Sequence, residues 1–160
     1  MSQSVPLIVA AICVSVSALT SCDQAPKTEM VPAGDLYAEA DAAYVRQDYA
    51  MAHELYRFAA NRGEAIGQYK LGLLYYWGNG VPKDYLAAVD WLRKAAEQGN
   101  SEGQFNIGQL FVTGQGVPRD PEKAAKWLQL AAAQGHKKAQ ASLGRLLGES
   151  SDIVAISSQK

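Results

Sequence analysis

Residues able to do chemistry are sparse in this chain of 160. Its histidines, His53 and His136, lie far apart, without a catalytic partner in an evident pattern beside either. No Ser-His-Asp arrangement, paired-carboxylate motif or His-Glu-x-x-His segment occurs. Both cysteines, Cys13 and Cys22, lie near the amino terminus, so no Cys-His cluster has metal-ligand spacing. No metal, cofactor or catalytic residue is expected. What does recur is a glycine-rich loop. Gly78-Asn79-Gly80-Val81-Pro82-Lys83-Asp84 returns as Gly114-Gln115-Gly116-Val117-Pro118-Arg119-Asp120. A phosphate cradle would need a Gly-Lys-Ser/Thr ending and a preceding strand, and neither is present. The loop's chemistry is therefore that of a turn and a cap.

The elements that position this loop follow from its period of 36 residues. The same offset relates Leu71-Gly72 to Ile107-Gly108, Trp91 to Trp127, and Ala95-Ala96 to Ala131-Ala132. A fixed period of this size marks a stacked-repeat architecture. The fold class is all-α, an α-solenoid of antiparallel helix pairs. Helices are expected near 35–44, 48–61, 65–77, 85–98, 101–113, 121–134 and 137–147. Pro82 and Pro118 end the first helix of each pair. Asp84 and Asp120 sit at N-cap positions, and Pro121 follows as a favoured first helical residue. Gly63, Gly99 and Gly135 suit the left-handed position after an Ala-rich helix. Gly72, Gly108 and Gly144 would allow close helix approach, with Trp91 and Trp127 filling the core beside them. His136, just after Gly135, would favour the local helix dipole.

The amino-terminal segment differs in kind. From Val5 to Leu19 it is apolar or small, with no charge before Asp23. About fifteen such residues fall short of the roughly 20 that a spanning helix needs, and suit the core of a signal peptide. The ending Leu19-Thr20-Ser21-Cys22 resembles a bacterial lipobox, which implies cleavage and lipid attachment at Cys22. The leader departs from that pattern in having no Lys or Arg. Asp23 resembles an inner-membrane retention signal. The expected location is the bacterial cell envelope, lipid-anchored and periplasm-facing, with the inner membrane slightly favoured. With Cys13 removed and Cys22 lipidated, the domain would carry no disulfide. Charge is balanced, with 15 Lys plus Arg against 16 Asp plus Glu, which excludes the basic stripe of a nucleic-acid binder.

Together these residues resemble the Sel1-like repeat, a relative of the tetratricopeptide repeat. One full match runs through Ala65, Leu71-Gly72, Tyr75, Gly78 to Val81, Asp84, Trp91, Ala95-Ala96 and Gly99. The next runs through Ile107-Gly108, Gly114 to Val117, Asp120, Trp127, Ala131-Ala132 and Gly135, with Phe111 replacing the Tyr. The organisation expected is a signal peptide over 1–21, a lipidated Cys and tether over 22–32, and a degenerate hairpin over 33–63. Full repeats follow over 64–99 and 100–135, then a capping helix over 136–148 and a flexible tail over 149–160. The hairpin keeps Asp48, Leu55, Ala59-Ala60 and Gly63 but lacks the glycine loop.

The resemblance implies that first helices line a concave groove. Groove positions are then Tyr69, Leu73, Tyr76, Trp77, Phe105, Gln109, Val112 and Arg145, with Tyr76-Trp77 as an aromatic pair suited to a binding hot spot. For Trp77, binding and packing stand as equal readings. For Tyr69 and Phe105, packing is the stronger one. The function implied is an adaptor or regulator that binds a protein or peptide. A periplasmic immunity protein neutralising a toxic effector is the alternative. A β-lactamase-like enzyme ranks third, because similar proteins with that resemblance are cysteine-rich.

Overall fold

In a computed structural model of the chain, residues 33–157 are described, with side-chain surroundings for 36–148. The expected signal peptide, Cys22 and the tether lie outside the described residues. Those residues form seven helices: α1 Ala33–Val45, α2 Tyr49–Asn61, α3 Ala65–Trp77, α4 Tyr85–Glu97, α5 Ser101–Thr113, α6 Pro121–Ala133 and α7 Lys137–Ser157. Each helix packs on the next in sequence, so the chain is an all-α repeat solenoid. Among the described residues, no helix is long and apolar enough to cross a membrane.

The second helices carry an apolar stripe at three- and four-residue spacing. In α4 it is Ala88, Leu92 and Ala95, all buried, and in α6 Ala124, Leu128 and Ala131. Leu92 seats against Gly72, where an added Cβ would lie 2.8 Å from Cγ, and Leu128 seats likewise against Gly108 at 3.0 Å. These glycines set how closely the paired helices approach. Burying each leucine contributes about 1.5–3 kcal/mol. Gly144 differs from this reading: nothing lies within 4 Å of a Cβ there, and among the described residues no helix after α7 supplies the leucine that Gly72 and Gly108 meet. Trp91 and Trp127 are only partly buried. They pack against the clusters around Leu71 and Ile107, and the Lys94 ammonium lies 4.0 Å over the Trp91 ring.

The loop glycines serve the contact between repeats as well as the turn within one. Gly78 and Gly114 close α3 and α5 in the left-handed conformation. Gly80 and Gly116, also left-handed, press on the preceding repeat. A Cβ at Gly80 would lie 2.6 Å from the Tyr49 carbonyl oxygen, and one at Gly116 would lie 2.5 Å from that of Tyr85. Each loop therefore rests on the first residue of the previous second helix. The Asp84 and Asp120 amides close the loop by donating to the Tyr75 and Phe111 carbonyls, each at 2.9 Å.

Caps fix the remaining boundaries. Asp84 Oδ1 accepts from the Leu86 and Ala87 amides, and Asp120 Oδ1 from Lys123. Gly63, Gly99 and Gly135 have φ near +85°, and the residue after each donates back to the helix, as in a Schellman motif. His136 plays a different part from the one expected. Its Nδ1 accepts from the Ala139 amide at 3.1 Å, so it caps the start of α7 rather than complementing the end of α6. Glu64 makes no cap to α3. Tyr37 serves instead: its hydroxyl accepts from the Gly67 amide at 3.2 Å and donates to Glu64 at 2.7 Å. Burial, then the Glu64 carboxylate, pushes this phenol above its ordinary range.

The last helix runs further than the sequence suggested. It continues to Ser157, through most of the segment expected as a flexible tail. Residues 149–157 hold neither Gly nor Pro, so no turn chemistry interrupts the helix there.

Candidate binding groove

The first helices α1, α3, α5 and α7 are separated by depressions, and the repeat period makes these recur. Between α1 and α3 lies a cavity of about 120 Å³ lined by Tyr44, Tyr56, Lys70, Leu73 and Leu74. Between α3 and α5 lies one of about 250 Å³, whose walls include Tyr76, Trp77, Asn106, Gln109, Thr113 and Gln115. Between α5 and α7 a third, about 210 Å³, is lined by Gln109, Val112, Ser142, Arg145 and Leu146. Leu73, Gln109 and Arg145 hold the same register position in three successive first helices, which is why each lines a cavity.

In the central cavity the aromatic pair has two distinct environments. Tyr76 is half-buried against the cluster of Leu92, Ile107 and Leu110. Its hydroxyl donates to Gln115 Oε1 at 3.0 Å, across the repeat boundary. Trp77 stands edge-on to Tyr76, with ring centroids 4.7 Å apart, and remains 59% exposed. An exposed indole braced by a fixed phenol is a rigid apolar surface of the kind hot spots use. Gln115 belongs to the glycine loop, so the loop contributes to the wall in addition to turning the chain. Gln109 Nε2 donates to Ser142 Oγ at 2.8 Å, and the Arg145 guanidinium donates to the same oxygen at 3.2 Å, joining α5 to α7.

Tyr69 and Phe105 pack into the inter-repeat core. Tyr69 lies against the Leu92–Ile107 cluster, and burial, then Glu102, raises its hydroxyl pKa. Phe105 stacks on His136 at 4.7 Å. Val112 is partly buried against the last cluster. At the first cavity, the Asp41 carboxylate accepts from Tyr56, and from Lys70 at 2.8 Å. Burial raises its pKa, but these two donors outweigh that and hold it below the usual carboxylate range. Burial, then this carboxylate, raises the Tyr56 phenol.

Each histidine does meet a carboxylate. His136 Nε2 lies 3.1 Å from Glu102, and His53 Nδ1 lies 3.5 Å from Glu54. His136 is committed by its cap and its stacking. No cluster of three metal-ligating side chains occurs among the described residues.

A polar ladder behind the groove had gone unread in the sequence. Gln68, Gln104 and Gln140 donate to the Ala60, Ala96 and Ala132 carbonyls at 3.5, 3.1 and 3.3 Å. Gln98 and Gln134 then donate to Gln68 and Gln104 Oε1 at 2.7 and 2.8 Å. Gln68 and Gln104 are 5% exposed, so these bonds satisfy groups that water cannot reach. The spacing of 36 was there to be found.

Comparison with known proteins agrees with this geometry. The family model of the Sel1 repeat matches residues 33–64, 65–100 and 101–136, including the segment that lacks the glycine loop. A Sel1 repeat protein from Oxalobacter formigenes is similar in structure, at 32% identity and TM-score 0.63, covering 72% of this chain and 51% of that one. So is a protective antigen present in uropathogenic Escherichia coli strains, at 34% and 0.66, covering 75% of this chain and 29% of that one. This chain thus spans about half of the first protein and under a third of the second. Cysteine rich protein B of Helicobacter pylori shares the fold at 19% identity and TM-score 0.57, over 69% of this chain and 94% of its own. No curated protein matches the chain. Sel1 repeat proteins generally mediate protein–protein interaction, as scaffolds that are not typically enzymatic. With three matched repeats stacked in one array, the chain belongs to the Sel1 repeat family.

Proposed function

We propose that the protein is a membrane-anchored adaptor of the bacterial cell envelope that binds a protein segment along its first-helix face. The observation that carries this is the row of cavities between successive first helices, with exposed Trp77 at the central one. Cavities at one repeat spacing suit an extended segment, whose side chains can enter successive depressions. At about 250 Å³ the largest lies below the roughly 300–1,000 Å³ of sites that enclose small molecules. The anchor rests on the Leu19-to-Cys22 ending, and the inner membrane on Asp23.

The test is retrieval of partners from an envelope extract with wild-type protein, Trp77→Ala, Gln109→Ala and Leu86→Ala. Leu86 is 68% exposed and lies on a second helix. The adaptor reading expects loss with the first two variants and retention with Leu86→Ala. Retention of every partner by Trp77→Ala and Gln109→Ala contradicts it. Neutralisation of a toxic effector by the purified protein would favour the immunity role instead.

A further inference from the structure

We infer that the open side of α7 is a second docking surface, which takes an amphipathic helix of another protein where a second helix would stand. α7 is built as a first helix: Leu143-Gly144 repeats Ile107-Gly108 and Leu71-Gly72 at the offset of 36. α3 and α5 are each covered by the second helix that follows, and among the described residues no helix follows α7. The difference shows at each equivalent position. Leu71 and Ile107 are fully buried, whereas Leu143 is only partly so. Gly72 and Gly108 meet Leu92 and Leu128, whereas nothing lies within 4 Å of a Cβ at Gly144. Leu147 is 49% exposed at the position where Tyr75 and Phe111 are partly buried. The glutamine ladder stops at the same side of the helix. Gln140 donates to the Ala132 carbonyl, as Gln68 and Gln104 do to theirs. Gln68 and Gln104 Oε1 each accept from the glutamine that ends the following second helix, and among the described residues no such donor reaches Gln140 Oε1. Gln140 is exposed where its two counterparts are buried.

The two second helices in place define the occupant. α4 brings Ala88, Leu92 and Ala95 to its partner, with Gln98 just past its end, and α6 brings Ala124, Leu128 and Ala131, with Gln134. The order and spacing are the same in both: alanine, leucine four residues on, alanine three further, glutamine three further again. These side chains lie on one helical stripe. The fitting helix therefore runs antiparallel to α7, seats a leucine on Gly144, flanks it with small residues, and offers an amide donor to Gln140. A folded second copy cannot supply this stripe, because α4 and α6 already bury theirs. The residues outside the seven helices do not carry it either. Leu7 stands four residues after Gln3, and Leu19 stands between Ser15 and Cys22 at the two flanking positions. Residues 148–160 hold no leucine. The stripe must come from another protein. The groove side of α7, where Ser142, Arg145 and Leu146 line a cavity, is a separate surface.

The test titrates the full chain with a peptide of the sequence of residues 84–98, stapled as a helix on its polar side, and follows amide chemical shifts. The expected result is saturable shifts at Gln140, Gly144 and Leu147, with those of Trp77 and Gln109 unchanged. A peptide carrying Leu92→Ser should bind at least about tenfold more weakly, because burial of the leucine drives the docking. In the protein, Gly144→Ala puts a Cβ where that leucine would seat and should weaken binding by a similar factor. Alanine is the better helix former, so this variant should be no less stable than the wild type. Gly148→Ala is the control and should bind as the wild type does. Its counterparts Tyr76 and Val112 carry side chains, and the second helices beside them are in place. Absence of shifts in α7, shifts at α3 instead, or unchanged affinity in Gly144→Ala overturns the proposal. Concentration-dependent dimerisation through α7 also overturns it, by giving this side to a second copy. Each of these outcomes leaves the first-helix groove reading standing.

Discussion

Replacing Gly116 by alanine isolates the contact that stacks one repeat on the next. Two costs are separable. Gly116 has φ +71°, and a Cβ in that left-handed conformation costs about 1–2 kcal/mol. The added carbon would also lie 2.5 Å from the Tyr85 carbonyl oxygen. That is about 1 Å inside ordinary van der Waals contact, so the loop must lift from the preceding helix pair. Overpacking of this kind costs about 1–3 kcal/mol more. Gly99 is the control, since its φ is +88° but nothing lies within 4 Å of a Cβ there. Reduced freedom of the unfolded chain offsets either substitution by about 0.4–1 kcal/mol. Gly99→Ala should then lose about 1 kcal/mol and Gly116→Ala about 2–4 kcal/mol. Asparagine sharpens the comparison, because it tolerates the left-handed region but still carries a Cβ. Gly99→Asn should be nearly neutral while Gly116→Asn remains costly. Urea unfolding followed by circular dichroism, at unchanged m-value, measures all four. Equal losses at the two positions, or a harmless Gly116→Asn, would refute the stacking role.

Three further outcomes follow from other contacts. Gln104→Ala removes the bond to the Ala96 carbonyl and leaves Gln134 without its acceptor, so unfolding should show a loss of about 1–3 kcal/mol; a neutral result would mean the ladder adds nothing. Asp41→Asn should destabilise modestly near neutral pH, by about 0.2–1 kcal/mol because the pair with Lys70 is largely exposed. The folded carboxyl lies below its unfolded value of 3.8, so its contribution is present above that pH and fades as pH falls through the folded pKa. The two proteins' stabilities should therefore converge in acid, and a gap that persists there would contradict the assignment. Cys22→Ser should abolish lipid labelling and release the protein from membranes; unchanged membrane association would refute the anchor.

The period of 36 made the helix order legible, because Gly, Pro and Asp punctuate each repeat at fixed places. Bounds for α3 and α5 match the expectation to the residue, and those of α4 and α6 differ by one at their ends. The end of α7 was misplaced because the repeat pattern stops after Leu143-Gly144, whereas the helix runs on to Ser157. Loss of the repeat pattern does not end a helix, and residues 149–157 hold no Gly or Pro to break it. Gly144 was assigned close packing by analogy with Gly72 and Gly108, but such a contact needs a later helix to supply the leucine. For the groove, register alone placed Leu73, Gln109 and Arg145 at cavities. It did not distinguish Trp77, exposed at the rim, from Tyr76, bound across the boundary to Gln115. That difference depends on where the next loop rests, which is a tertiary fact. The glutamine ladder was missed for a simpler reason: glutamine reads as a surface residue, although its spacing matched the repeat.

The central claim is that the first-helix face, and not the second-helix face, meets the partner. Photo-crosslinking in living cells tests it directly, with a benzophenone amino acid placed in turn at positions 77, 109 and 145 and, as controls, at the exposed second-helix positions Leu86 and Leu130. The account predicts one common partner band from the first three positions and none from the controls. Crosslinks to that partner from positions 86 and 130, with none from the groove, would contradict it.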